Sequence, residues 1–218
     1  MKLKHTGVIF DLDGTMVDTL GDVAASMNKA LCRRGFPELQ NDEYRDKVGW
    51  GIRRLAFLCL PENVRSEELA AQVAGEAADF YAESPLVYSR PYPGIPELLG
   101  ILKQKKVKTA VLTNKPDMVA QKVIAGLFPP GTFDYVRGEI FGEPRKPDPA
   151  CVWELLAELD RTPAQIIFMG DSEIDMETAL SSGCFPLGVS WGYRSREDIL
   201  NAGSRRIIDE PEELLDYF

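Results

Sequence analysis

Short apolar runs that end abruptly in polar residues recur along the chain. Thr6-Gly7-Val8-Ile9-Phe10 leads into Asp11-Leu12-Asp13-Gly14-Thr15, the pattern of a buried strand opening into a polar turn. The pattern returns over 108–112 before Thr113-Asn114, over 165–169 before Gly170-Asp171, over 186–190, and over 206–208 before Asp209, with a weaker strand over 133–137. Between the runs the apolar spacing becomes helical. Ile95, Leu98, Leu99 and Leu102 share one face, as do Val152, Leu155, Leu156 and Leu159 on a helix started by Pro149. Alternating strands and helices predict an α/β fold, a Rossmann-like, doubly wound, mainly parallel sheet covered on both faces.

The stretch 18–85 breaks this rhythm. It carries helical spacing (Val23, Met27, Leu31; Leu69, Val73, Phe80) and no convincing strand, so it reads as an inserted all-helical unit, leaving 1–17 and 86–218 as the sheet-bearing core. The chain leaves the insert through Ser84-Pro85 and Arg90-Pro91-Tyr92-Pro93-Gly94, a proline-rich and therefore extended connection. Two thin connections on one side suit a lid that hinges over the sheet.

Composition narrows the chemistry. With 218 residues, 44% of them hydrophobic, the chain can bury a core without staples. Its 25 basic and 34 acidic residues give a net charge of −9, which argues against nucleic acid or an anionic membrane as partner. Cys32, Cys59, Cys151 and Cys184 are too scattered for a zinc knuckle or a dithiol motif and read as buried packing residues, with Cys59 in the insert the one expected to be exposed and oxidisable. The first ten residues lack a signal peptide's apolar stretch, so the cytoplasm is the expected location. His5 is the only histidine, which removes a Ser-His-Asp triad and a histidine-rich zinc site. The lysines at 103, 105, 106 and 108 read as a solvated face at a helix end.

In an open parallel sheet, ligands bind beyond the carboxyl ends of the strands. There the runs deliver Asp11 and Asp13, Thr113 and Asn114, then Asp171 followed by Asp175, while Lys146 precedes the helix after Pro149. Several carboxylates buried together need a cation, and hard oxygen ligands favour Mg²⁺. With that metal in place, Asp13 protonated and the amides of the 11–15 turn pointing inward, the site can carry a phosphate. Acids, a lysine and a hydroxyl then suit phosphoryl transfer.

The order and spacing of these residues resemble the haloacid dehalogenase superfamily of phosphohydrolases, and within it the phosphoglycolate phosphatase-like subgroup with a helical cap. Asp11-Leu12-Asp13-Gly14-Thr15, Leu112-Thr113-Asn114-Lys115, Lys146-Pro147-Asp148-Pro149 and Gly170-Asp171-Ser172-Glu173-Ile174-Asp175 are similar to its four motifs, in order. The resemblance implies that Asp11 is the nucleophile that becomes an aspartyl-phosphate and that Asp13 is the acid and base. It implies Mg²⁺ held by Asp11, the Asp13 carbonyl, Asp171 and Asp175, and phosphoryl oxygens gripped by Thr113, Asn114 and Lys146. The cap would read the substrate through Gly49-Trp50-Gly51 and Arg53, with Arg53, Arg54 or an amide receiving a substrate carboxylate and Trp50 closing the pocket.

The expected partner is a small phosphorylated metabolite, 2-phosphoglycolate first, and the expected assembly a monomer or homodimer. Pyrophosphatase, sugar-phosphate or nucleotide phosphatase and phosphomutase activities use the same core, although Thr15 favours hydrolysis over a mutase. From another class come a receiver-like signalling domain, whose phosphorylated aspartate usually follows a middle strand, and a catalytically silent phosphate-binding regulator.

Overall fold

Gly7–Phe10 forms the central strand β1, with all four residues buried. The computed structural model describes residues 5–218. In chain order the remaining strands are β2 (Val17–Asp18), β3 (Arg90–Pro91), β4 (Lys108–Pro116), β5 (Tyr135–Glu139), β6 (Ile166–Gly170), β7 (Phe185–Val189) and β8 (Arg206–Ile208). Six of them make one sheet, ordered β5-β4-β1-β6-β7-β8 and parallel throughout. The helices are α1 (Leu20–Arg33), α2 (Ile52–Cys59), α3 (Glu67–Glu83), α4 (Ile95–Gln104), α5 (Asp117–Leu127), α6 (Ala150–Leu159), α7 (Glu173–Ser182) and α8 (Arg196–Asn201).

The strand period of two decides which layer each residue joins. Val8 and Phe10 pack with Val111, Ile167 and Met169 into one core layer, which includes Ile95, Leu98 and Leu102 of α4 and Val119 and Val123 of α5. Ile9 points the other way, with Ala110, Leu112 and Phe168, onto Val152, Leu155, Leu156 and Leu159 of α6. The carboxyl end of β1 lies between β4 and β6, where chain order around the sheet reverses, and so opens the crevice in which this architecture binds ligands.

The sequence differs from the structure at the margins of the strands. β4 continues past its apolar run through Thr113 to Pro116, and β5 begins two residues after 133. The two connections of the insert pair with one another as the antiparallel ribbon β2–β3, with Val17 opposite Pro91 and Asp18 opposite Arg90. Two-residue strands are too short for an alternating pattern to register.

Helices α1, α2 and α3 pack together between β2 and β3. Alanines 24, 30, 70, 74 and 77 are all buried there and permit close approach of the helices. The buried carboxylate of Asp22 on α1 then ties down the outgoing chain, accepting from the Ser89 amide at 2.7 Å, the Ser89 hydroxyl at 2.6 Å and the Tyr88 amide at 3.1 Å. Two cysteine expectations need correction. Cys59 is buried on α2, where burial pushes its thiol up to about 12 and makes it inert. Cys32 is the exposed one, because it ends α1 on the solvent side with its Sγ donating to Glu38 at 3.2 Å.

Candidate active site

Asp11 leaves β1, Asp171 leaves β6, and Asp175 sits in the first turn of α7, so three strand-end and helix-start positions converge. One carboxylate oxygen from each lies within 4.8 Å of the others, and all three residues are buried. Lys146 bridges two of them, its Nζ donating to Asp11 Oδ1 and to Asp175 Oδ1 at 2.7 Å each. Asp171 is oriented from both sides: Thr15 Oγ1 donates to Oδ1 at 3.0 Å and the Tyr193 amide to Oδ2 at 2.7 Å. The second oxygen of Asp175 accepts from the amide and hydroxyl of Ser172 at 3.0 and 2.6 Å, which caps α7.

The electrostatics call for another cation. Burial, against the pull of Lys146, holds the Asp11 carboxyl well above the usual carboxylate range, and the charges of Asp175, Asp171 and Asp13 push the same way. Burial and the Asp175 charge push Asp171 up to about 7. Burial by itself would lower Lys146, but Asp11 and Asp175 outweigh it and hold the ammonium above its ordinary value. Three ionised carboxylates against one ammonium leave a charge of −2 in a buried pocket of oxygen donors. That donor set fits a hard divalent cation. Glycine backbone packs directly on these carboxylates: a Cβ on Gly14, held at φ +85°, or on Gly192 would collide with the Asp171 carboxylate, and one on Gly170 with that of Asp175.

Asp13 points away from this cluster. Its carboxyl oxygens accept from Lys115 Nζ at 2.8 and 3.0 Å and from Thr19 Oγ1 at 2.7 Å. Lys115 was not singled out from the sequence, because a lysine past an apolar run reads as solvated. Its position two residues after Thr113 on an extended strand puts both side chains on one face, and that was the available signal. The turn that carries Asp13 is braced internally: the Gly14 amide donates to the Val17 carbonyl at 2.9 Å, so that amide does not face the site as expected.

Thr113 lines the cavity beside Asp11, and its hydroxyl accepts from the Lys115 amide at 3.2 Å. The Asn114 amide nitrogen holds two segments, donating to the carbonyls of Gly49 at 3.1 Å and Lys146 at 3.0 Å. Its Oδ1 is buried without a partner. The 45–51 loop is fastened to the sheet side by two further side chains that sequence reasoning missed. Arg194 donates to the carbonyls of Arg45, Asp46 and Val48, and Arg145 to that of Trp50 at 2.7 Å. Their partners are backbone carbonyls, which no sequence pattern reveals.

A cavity lies between Asp11, Asp13 and 113–116 on one side and α1, α2, α3 and the 48–52 loop on the other. Gly49 and Gly51 line it, with φ of +117° and +85°. Trp50 and Arg53 do not: Trp50 is solvent-exposed, and the Arg53 guanidinium lies 5.0 Å from the Phe141 ring centroid. No helix among the described residues is long and apolar enough to cross a membrane.

Comparison with known proteins gives the family of the chain. The family model for haloacid dehalogenase-like hydrolases matches residues 8–189. A phosphoglycolate phosphatase of Aquifex aeolicus is 35% identical over 187 residues, covering 85% of each chain. An N-acetylmuramic acid 6-phosphate phosphatase of Pseudomonas aeruginosa is 32% identical over 220 residues, covering 99% of this chain and 95% of its own. The crystal structure of a predicted phosphoglycolate phosphatase from Haemophilus somnus superposes with a TM-score of 0.89 at 28% identity, covering 99% of both chains.

Proposed function

The chain belongs to the haloacid dehalogenase-like hydrolase family and is a phosphoric monoester hydrolase, and within that class we propose a magnesium-dependent phosphatase for small phosphomonoesters, 2-phosphoglycolate first among them. The observation that carries this reading is the buried trio of Asp11, Asp171 and Asp175, bridged by Lys146, with Asp13 facing the same cavity.

Asp11 is the nucleophile in this reading. Its carboxylate oxygen attacks phosphorus in line, the bond from phosphorus to the ester oxygen breaks, and an aspartyl-phosphate forms. Asp13 gives its proton to the departing oxygen, which leaves as an alcohol. It then takes a proton from the water that attacks phosphorus, so that inorganic phosphate leaves and Asp11 is restored. Lys115 and Thr19 both donate to the Asp13 carboxyl, which keeps it oriented in the cavity for both halves. Lys146 and Thr113 hold the phosphoryl oxygens, and Asn114 keeps Lys146 and Gly49 in place. Asp11, Asp171, Asp175 and the Asp13 carbonyl would hold Mg²⁺, which when bound supplies the positive charge that the carboxylates and a phosphate require.

Residues 18–85 act as the cap and shield the reaction from bulk water. We take the enzyme to work in the cytoplasm, in keeping with four cysteines that are all free. The test is phosphate release, with and without Mg²⁺, from 2-phosphoglycolate, N-acetylmuramic acid 6-phosphate, pyrophosphate, sugar phosphates, nucleoside monophosphates and p-nitrophenyl phosphate. Metal-dependent turnover with 2-phosphoglycolate preferred supports the whole reading. A preference for another ester keeps the chemistry and replaces the substrate, and failure on every ester refutes it.

A further inference from the structure

The cavity has two chemically different ends. Asp11, which Lys146 contacts from behind the lining, and Thr113 mark the phosphoryl end, and the walls beyond are apolar, with Val23, Met27, Val48, Ile52 and Leu55. Among the described residues, Lys115 is the only basic one that lines it. Its side chain is 2% exposed, and its Nζ donates to both oxygens of Asp13, which leaves the third N–H directed to the neighbouring Tyr81 or to a ligand in the cavity. The same ammonium lies 4.2 Å from the ring centroid of Tyr81 on α3. Tyr81 also lines the cavity, is 3% exposed, and has a buried hydroxyl with no hydrogen-bond partner. The Tyr81 oxygen can accept from the neighbouring ammonium, but its buried O–H then still lacks an acceptor, which is costly unless something in the cavity supplies one.

We propose that Lys115 and Tyr81 form a carboxylate-binding end of the substrate site, so that this enzyme selects short phosphomonoesters carrying a carboxylate close to the leaving oxygen. The inference rests on the phosphatase reading and moves specificity from Arg53, which lies outside the cavity, to one residue of the sheet and one of the cap. A carboxylate offers an oxygen to each donor and a single negative charge. A second phosphate would bring nearly two charges to one ammonium already shared with Asp13. Because Lys115 belongs to β4 and Tyr81 to α3, such a substrate also joins the two sides of the cavity.

The test compares 2-phosphoglycolate with 2-hydroxyethyl phosphate, which replaces the carboxylate by a neutral hydroxymethyl group of similar size. The wild-type enzyme is expected to prefer 2-phosphoglycolate by at least about tenfold in kcat/KM. Tyr81→Phe, which keeps the ring beneath Lys115, should cut that preference by about tenfold through KM, and Lys115→Met by up to about 100-fold. Lys115→Met also disturbs Asp13 and will slow both substrates, which is why the ratio and the milder Tyr81→Phe variant decide. If the variants slow both esters by one common factor, or the wild type shows no preference while still hydrolysing p-nitrophenyl phosphate, the carboxylate site is overturned and the phosphatase reading stands. Silence on p-nitrophenyl phosphate as well overturns both.

Discussion

The Lys146 ammonium donates to Asp11 Oδ1 at 2.7 Å, joining two residues separated by 135 positions in the chain. The same nitrogen reaches Asp175 Oδ1, so one buried cation serves two buried anions and a third, Asp171, stands beside them. In the proposed reaction the oxygen that attacks phosphorus is thus held and charge-balanced by a side chain that can also receive a phosphoryl oxygen.

Replacing Lys146 with Met should therefore damage stability as well as activity. Removing one partner of a buried ion pair typically costs about 3–5 kcal/mol, and here it strands two carboxylates. The loss, read from urea unfolding of metal-free protein, should be larger at pH 8 than at pH 5, where protonation relieves the stranded acids. An unchanged urea midpoint would contradict the arrangement.

The pH dependence of metal binding follows from Asp171. Its carboxyl is pushed up to about 7 when folded, from an ordinary 3.8. Between those values the folded protein keeps a proton that the unfolded chain has lost, so the metal-free protein loses stability as pH rises through this window. A divalent cation binds the ionised form and offsets the loss. The rise in Tm on adding Mg²⁺ should then be small at pH 5 and largest near pH 8; a rise independent of pH would count against these acids as the metal ligands.

Gly14 is held at φ +85°, and a Cβ there would run into the Asp171 carboxylate. Gly14→Ala carries a backbone cost of about 1–2 kcal/mol and displaces a proposed metal ligand. Activity should fall by at least about 100-fold while the circular dichroism spectrum stays native, since about 2.7 kcal/mol of lost transition-state stabilisation suffices for that factor. A variant of wild-type activity would show that Asp171 does not need its present position.

Much of this site is legible in the order of residues along the chain. Asp11, Asp171, Thr113 and Lys146 stand at the ends of apolar runs or before a helix start, where the parallel sheet places chemistry. Lys115 and Arg194 were not visible, for physical reasons. Lys115 continues a strand beyond its apolar part and finds its partner Asp13 102 residues away, and Arg194 serves backbone carbonyls, which have no residue type. The 48–53 segment shows both outcomes. Its glycines face the cavity and take the positive φ that their identity suggested, whereas Arg53 turns out to Phe141, an exposed contact that no spacing foretells.

Arg194 gives the loop a specific tether. Besides three loop carbonyls it contacts Glu173 on α7 at 3.2 Å, which anchors the guanidinium to the sheet side. Arg194→Ala should raise KM by about tenfold, the worth of one or two charge-assisted hydrogen bonds, with kcat changed less. Amide exchange over 45–51 should quicken in the same variant, and unchanged exchange would show that the loop closes without this tether.

The central claim is that phosphate passes through Asp11. It is tested most directly by mixing 2-phosphoglycolate, or the best ester of the panel, with Asp13→Asn protein in Mg²⁺, quenching in acid, and measuring the intact mass and the peptide that contains Asp11. The account predicts a mass gain of one phosphoryl group on Asp11, and neither adduct nor turnover in Asp11→Asn. Phosphate release by Asp11→Asn at the wild-type rate would contradict it.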